Sequence, residues 1–131
     1  MNSPAPLKVL MLTSSYPRKD SDNSSVFLRY LATNLAKQGV NIHVLAPDHP
    51  LIKNTDLDPG VKNHWFQYLP KKWQRLAYGS GILPNLKRNK LLYLQVPFFL
   101  ISMFFSLLFL CKKINPDVIH AHWIIPQGLI A

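Results

Sequence analysis

The sequence predicts an α/β fold built on a Rossmann-like open parallel sheet, and three observations carry that expectation. Short apolar, β-branched runs alternate along the chain with segments of helical periodicity. The first strand–helix–strand succession takes some forty residues, the size of a βαβ unit with a right-handed crossover. With 48% hydrophobic residues in 131, the chain has enough apolar material for one domain with a real core, which excludes a disordered polypeptide.

Each element has a local reason. Leu7–Thr13 (LKVLMLT) is almost continuously apolar, as a strand buried on both faces must be. The polar loop Ser14–Ser25 follows. In SSVFLRYLATNLAKQG, Phe27, Leu31 and Leu35 recur at i, i+4 and i+8 with Leu28 and Ala32 beside them, so the expected apolar helix face runs through Phe27. Ser24 or Ser25 suits the N-cap and Gly39 the left-handed position after the last turn. Val40–Ala46 (VNIHVLA) alternates as a strand and stops at Pro47. Asp48–Gly60 reads as loop and Val61–Leu69 (VKNHWFQYL) as a third strand. Pro70–Lys90 is an excursion with at most one short helix. Leu91–Lys113 reads as one long helix with Pro97 in its early turns, broken by Asn115-Pro116. Asp117–Ala121 (DVIHA) is another short buried strand, and Pro126-Gln127-Gly128-Leu129 would open the next helix.

Charge is unevenly placed. The net is +9 and there is no glutamate. Between Pro59 and Pro116 there are nine basic residues and no acidic one, while the remaining six basic and six acidic residues cancel. Such a field attracts anions, whether phosphorylated substrates, acidic lipid headgroups or nucleic acid, unless it is only a solvated face. Trp65, Phe66, Tyr68, Trp73 and Tyr78 lie among these cations. That mixture suits a membrane interface, and with no nucleic-acid motif present, no nucleic-acid partner is expected.

Leu91–Cys111 runs 21 residues without a charge, long enough to span a bilayer. It can instead dock on the sheet and touch lipid, or form a buried core helix. Docking is preferred, because DVIHA must return to the same sheet as Leu7–Thr13 within a few residues. The apolar run near the N-terminus is too short for a secretory signal. Cys111 permits no internal disulfide and reads as a small buried hydrophobe. The expected location is cytoplasmic, peripheral on the inner face of the cell membrane.

In open α/β sheets, ligands bind beyond the carboxyl ends of the strands. Ser14–Ser25, Pro47–Gly60, Pro70–Lys90 and His122–Gln127 are expected to converge there. The first of these ends at a helix N-terminus, where a phosphate is favoured and Arg18, Lys19, Ser24 and Ser25 can assist; equally, the serines can act as simple caps. No GxGxxG or Walker lysine motif is present. His120 and His122, two apart on a strand, share a face, but a third ligand at zinc-like spacing is lacking. His122 is expected to meet ligand and His120 to be structural. No metal, no cofactor and no catalytic residue is assigned.

Three stretches carry a resemblance: LKVLMLTSSYPRKDSDNSSVFLRYLATNLAKQGVNIHVLAPDHP, WQRLAYGSGILPNL and PDVIHAHWIIPQGLIA. Together they resemble the N-terminal domain of family 4 retaining glycosyltransferases of the two-domain GT-B type. The resemblance implies transfer of a sugar from a nucleotide-activated donor, with the N-terminal domain holding the acceptor. By position, Ser15, Tyr16, Arg18, Asn23, Ser24 and Ser25 would line the cleft near the donor diphosphate and acceptor, and His122, Trp123 and Gln127 would line it from the fourth strand. Many relatives have glycine where this chain has Asn23-Ser24-Ser25, so side chains stand where a phosphate would approach the backbone.

The family's donor site uses glutamates of a C-terminal domain, and these 131 residues contain none. The sequence therefore reads as an incomplete, acceptor-side half of a GT-B fold, without the donor-binding domain and inactive alone. Its expected partners are a glycan or lipid-linked acceptor of envelope polysaccharide type, a membrane surface, and a nucleotide-sugar donor only together with the C-terminal domain. The alternative is a non-enzymatic, membrane-associated scaffold that pairs with a separate donor-binding chain.

Overall fold

A computed structural model of the chain describes residues 5–13, 16–17, 26–49, 58–70 and 82–122. Strand β1 (Lys8–Leu12) leads through helix α1 (Val26–Lys37) to β2 (Asn41–Pro47), and β3 (Val61–Phe66) follows. Helix α2 (Ile82–Arg88), a 3₁₀ turn (Lys90–Leu94) and helix α3 (Gln95–Ile114) then lead to β4 (Val118–Ala121). The strands form one sheet in the order β3-β2-β1-β4, every pairing parallel. The α/β, Rossmann-like arrangement expected from the sequence is the arrangement observed.

The two crossovers run in opposite directions across the sheet, so a common right-handed sense puts their helices on opposite faces. Alternation along the strands matches this. Val9, Met11, Ile42, Val44 and Ala46 pack with Leu28 and Ala32 of α1. Leu10, Leu12, Leu45 and Phe66 pack with Phe99, Met103, Leu107 and Leu110 of α3. Both faces of β1 and β2 are therefore core, which is why their sequences read as unbroken apolar runs.

The apolar face of α1 is the expected one only in part: Leu28, Ala32 and Leu35 pack on the core, and Phe27 and Leu31 do not lead it. Leu28 and Ala32 are wholly buried, whereas Phe27 and Leu31 are 54% and 36% exposed. Two i, i+4 rows overlap in this sequence, and close approach selects the one with small side chains. At Gly60 (φ +80°) a Cβ would lie 3.2 Å from the Cβ of Ala36, which shows how tightly this side of the helix is held. The expected glycine stop is present: Gly39 has φ +89°, its N–H reaches Ala36 O at 3.1 Å, and Val40 N–H reaches Leu35 O at 3.1 Å. This is the double bond pattern of a Schellman cap.

The long apolar segment begins as a 3₁₀ turn rather than as one continuous α-helix. Pro97 explains the change, because in an α-helix its ring would clash with the carbonyl of Tyr93. Placed third in α3, it needs no N–H partner. Asn115 ends α3 in the left-handed region (φ 54°) and donates its N–H to Cys111 O at 2.9 Å. Lys8 then clamps the helix end to the sheet: its Nζ donates to Ile114 O at 3.2 Å and its backbone N–H to Asp117 Oδ2 at 2.8 Å. Cys111 is half-buried against the same core. The caps N-terminal to α1 and the helix expected from Pro126 lie outside the described residues.

Candidate functional site at the carboxyl edge of the sheet

Because all four strands are parallel, the segments after Leu12, Pro47, Phe66 and Ala121 leave from one edge. The chain moves from β1 toward β2 and β3 on one side and returns to place β4 on the other, so the strand order reverses between β1 and β4. Open α/β sheets bind ligands at such a point, since the two diverging loops leave a crevice between them. The loop after β1 carries Ser15, Tyr16, Arg18, Asn23, Ser24 and Ser25; the segment after β4 carries His122, Trp123 and Gln127. All the sequence-predicted site residues thus belong to the two chain segments that follow β1 and β4. Ser15, Arg18, Asn23, Ser24, Ser25, Trp123 and Gln127 lie outside the described residues, which leaves Tyr16 and His122 to be placed.

Tyr16 is wholly buried and packs in the α1-side core, its ring edge-on to Trp65 at 6.3 Å. Its hydroxyl is buried and has no hydrogen-bond partner. Burial pushes the phenol's pKa well above its ordinary value, the Asp58 carboxylate adds to this, and the Arg29 guanidinium opposes it. Tyr16 therefore remains a neutral donor. A buried hydroxyl left unsatisfied is costly, so this group carries unspent hydrogen-bonding capacity within the α1-side core.

His122 extends the β4 ladder by one bond, its N–H donating to Leu12 O at 2.9 Å. The ring is half-buried, its Nε2 is buried without a partner, and it lies 4.2 Å from the His120 ring. Desolvation first, then the neighbouring His120, push its pKa down to about 4. At neutral pH His122 is thus an uncharged imidazole suited to hydrogen-bonding a hydroxyl-rich ligand rather than to pairing with an anion. His120, expected to be structural, is instead exposed. The reason is its strand: β4 is an edge, and the α1-side core cluster does not include it.

Sequence reasoning missed two features, one at this edge and one within the sheet. Asp48, at the end of β2, is buried; its N–H donates to Phe66 O at 2.8 Å and its Oδ1 accepts from His49 N–H at 2.9 Å. His43 and His64, on adjacent strands, stack at 5.3 Å and share a hydrogen bond of 3.0 Å between Nδ1 and Nε2. Histidines in two strands that later pair were the only available signal. Among the described residues, no group of three or more His, Cys, Asp or Glu side chains is placed to hold a metal ion.

The profile of the glycosyl transferase 4-like family matches residues 20–131, most of the chain. The chain belongs to that family. A glycosyl-transfer role accompanies membership. No curated protein matches the chain. The matched stretch takes in α1, every strand after β1, and the segment after β4, so both sides of the crevice fall at least partly within the glycosyl transferase 4-like region.

Proposed function

We infer that this glycosyl transferase 4-like chain holds the acceptor for transfer of a sugar from a nucleotide-activated donor, with retention at the anomeric carbon, in a two-domain GT-B arrangement. The observation that carries the reading is the reversal of strand order between β1 and β4, with a segment rich in hydroxyl-bearing residues following β1 in the sequence. A neutral His122 with an unsatisfied buried Nε2, beside the equally unsatisfied Tyr16 hydroxyl's loop, suits a neutral polyol better than a phosphate. We assign the acceptor to the glycans of envelope polysaccharide assembly, carried on lipid. The 131 residues contain no glutamate, and a glutamate pair is what the resemblance assigns to the donor site. The stretch 1–131 alone is therefore expected to transfer nothing.

Equilibrium binding tests this directly. The chain should bind short oligosaccharide acceptors and not nucleotide sugars, and Gln127→Ala and Trp123→Ala should each weaken acceptor binding about tenfold, the loss of one well-made hydrogen bond or stacking contact. Sugar transfer by purified 1–131 from any nucleotide sugar would overturn the reading. So would nucleotide-sugar binding that the two substitutions abolish.

A further inference from the structure

Helix α3 carries apolar residues on every side, yet among the described residues only one side is covered. Phe99, Met103, Leu107 and Leu110 are at most 5% exposed against the sheet. On the opposite side Ile101, Phe105 and Leu108 form an outward row, with Phe98 and Phe109 beside it; Phe105 and Phe109 are 61% and 65% exposed. The preceding 3₁₀ turn continues the surface through Leu91 and Leu94, 72% and 70% exposed. A helix apolar all round is ordinarily buried all round, so this surface calls for a non-aqueous neighbour.

Charge identifies the neighbour. Lys87, Arg88 and Lys90 precede the apolar surface, Lys112 and Lys113 close it, and no acidic residue lies between Pro59 and Pro116. A protein partner would need an apolar strip bracketed by acidic ends, and a second copy of this surface would bring cations against cations. An anionic bilayer meets both requirements at once, hydrocarbon for the rings and phosphate for the lysines. We propose that α3 and its leading turn lie in the plane of an anionic lipid surface, with the outward row inserted and the sheet resting on the helix's other side.

The same geometry argues against crossing. The span Lys90–Ile114 is long and apolar enough to traverse a membrane by length and composition. Crossing would strip the four buried side chains from the sheet and break the Ser102 Oγ bond to Gln67 O (2.9 Å) and the Lys8 Nζ bond to Ile114 O (3.2 Å). It would also put Lys90 and Ile114 on opposite sides of the bilayer, while β4, four residues on, pairs with β1 in the sheet that β3 also joins. Because α3 runs antiparallel to the strands, its leading turn lies at their carboxyl edge. Resting on the acceptor-side reading above, this orientation opens the crevice at headgroup level, where a lipid-linked glycan is presented.

Vesicle flotation of the full chain tests the docking without any sugar chemistry, so it can fail or succeed independently of the acceptor reading. Mixed phosphatidylcholine–phosphatidylglycerol vesicles should carry the chain at low salt, and phosphatidylcholine alone should carry less. Phe105→Glu and Phe109→Glu should each lower partitioning roughly tenfold or more, since each removes a large inserted ring. Lys112→Ala and Lys113→Ala should each cost about fivefold on the mixed vesicles only. As a second readout, a polarity-sensitive dye at Phe105→Cys in a Cys111→Ala background should shift to the blue on vesicles, and the same dye at Asn34→Cys on α1 should not. Unchanged flotation of the two glutamate variants would overturn the proposal. So would a vesicle-free dimer that those variants dissociate while flotation stays unchanged, because the surface would then belong to a second copy.

Discussion

The two helical layers of this sheet solve the same packing problem with opposite outer faces. Helix α1 buries Leu28 and Ala32 and turns a mixed surface outward, in which Phe27, Tyr30 and Leu31 stand among Asn34 and Lys37. Helix α3 buries its own row and turns phenylalanines and leucines outward. The difference teaches that burial of the inner row fixes the fold on both sides, while the outer row is free to carry function. On α1 polar and charged residues interrupt it, and on α3 a largely apolar row carries the proposed contact with lipid.

The largest expected effect separates the two rows of α3 itself. Phe99 sits in an aromatic cluster, edge-on to Phe66 at 5.2 Å and to Tyr68 at 5.1 Å. Phe99→Ala should cost about 3–5 kcal/mol, the transfer term plus the cavity it leaves. Phe105→Ala should stay within about 0.5 kcal/mol of the parent in solution, because its ring is mostly in water already. Urea denaturation of the two variants reads this contrast. Equal losses would mean that the outer row is buried in the protein as it exists in solution.

On the α1 side the counterpart is an ion pair. Arg29 Nε and Nη2 donate to Asp58 Oδ2 and Oδ1 at 2.8 and 3.0 Å, tying the helix to the turn before β3, with both side chains 16–17% exposed. Asp58→Ala should cost roughly 2 kcal/mol, since it removes a bidentate charge-assisted pair from a site largely shielded from water. A loss under about 0.5 kcal/mol in the same denaturation assay would reduce the pair to a surface contact.

Most of this architecture was legible in the sequence, and the misreadings have physical causes. β1 and β2 were readable because a strand buried on both faces leaves no room for polar residues. The end of α1 was readable because only glycine takes φ +89° at Gly39 without cost. The centre of the buried face of α1 was not, since Phe27 and Leu31 outweigh Leu28 and Ala32 in hydrophobicity and lose to them in fit, while Leu35 packs with the core either way. That the four strands end at one edge was legible from strand–helix alternation alone. The burial of Tyr16 was not, because nothing local says that the chain after Thr13 turns back over the α1-side core. The roles of His120 and His122 depend on β4 being an edge strand, a property of topology rather than of the DVIHA segment.

The pH response of that edge comes next in size. His122 holds its imidazole neutral, with a pKa of about 4 against an ordinary 6.5. The folded state therefore binds fewer protons than the unfolded one, so its contribution is complete above pH 6.5. It is lost progressively as the pH falls from 6.5 toward 4. The stability lost should be on the order of 1 kcal/mol, since solvent screens a half-exposed ring. His122→Asn should flatten that part of the profile. An imidazole that titrates near 6.5 by NMR in the folded chain would contradict the depression.

The smallest effects compare the two helix ends. Gly39 and Asn115 both occupy left-handed backbone, and only the first has the residue that does so freely. At Gly39 nothing lies within 4 Å of an added Cβ, so Gly39→Ala isolates the backbone term and should destabilise by about 1 kcal/mol. Asn115→Gly runs the comparison backwards. Asparagine tolerates this region, and glycine gains ease in the folded state while losing more entropy on folding, so the net change should be a few tenths of a kcal/mol or less. If Asn115→Gly instead costs as much as Gly39→Ala, the asparagine side chain holds the end of α3 in place. The orientation of the apolar row would then depend on that cap as well as on the Lys8 clamp.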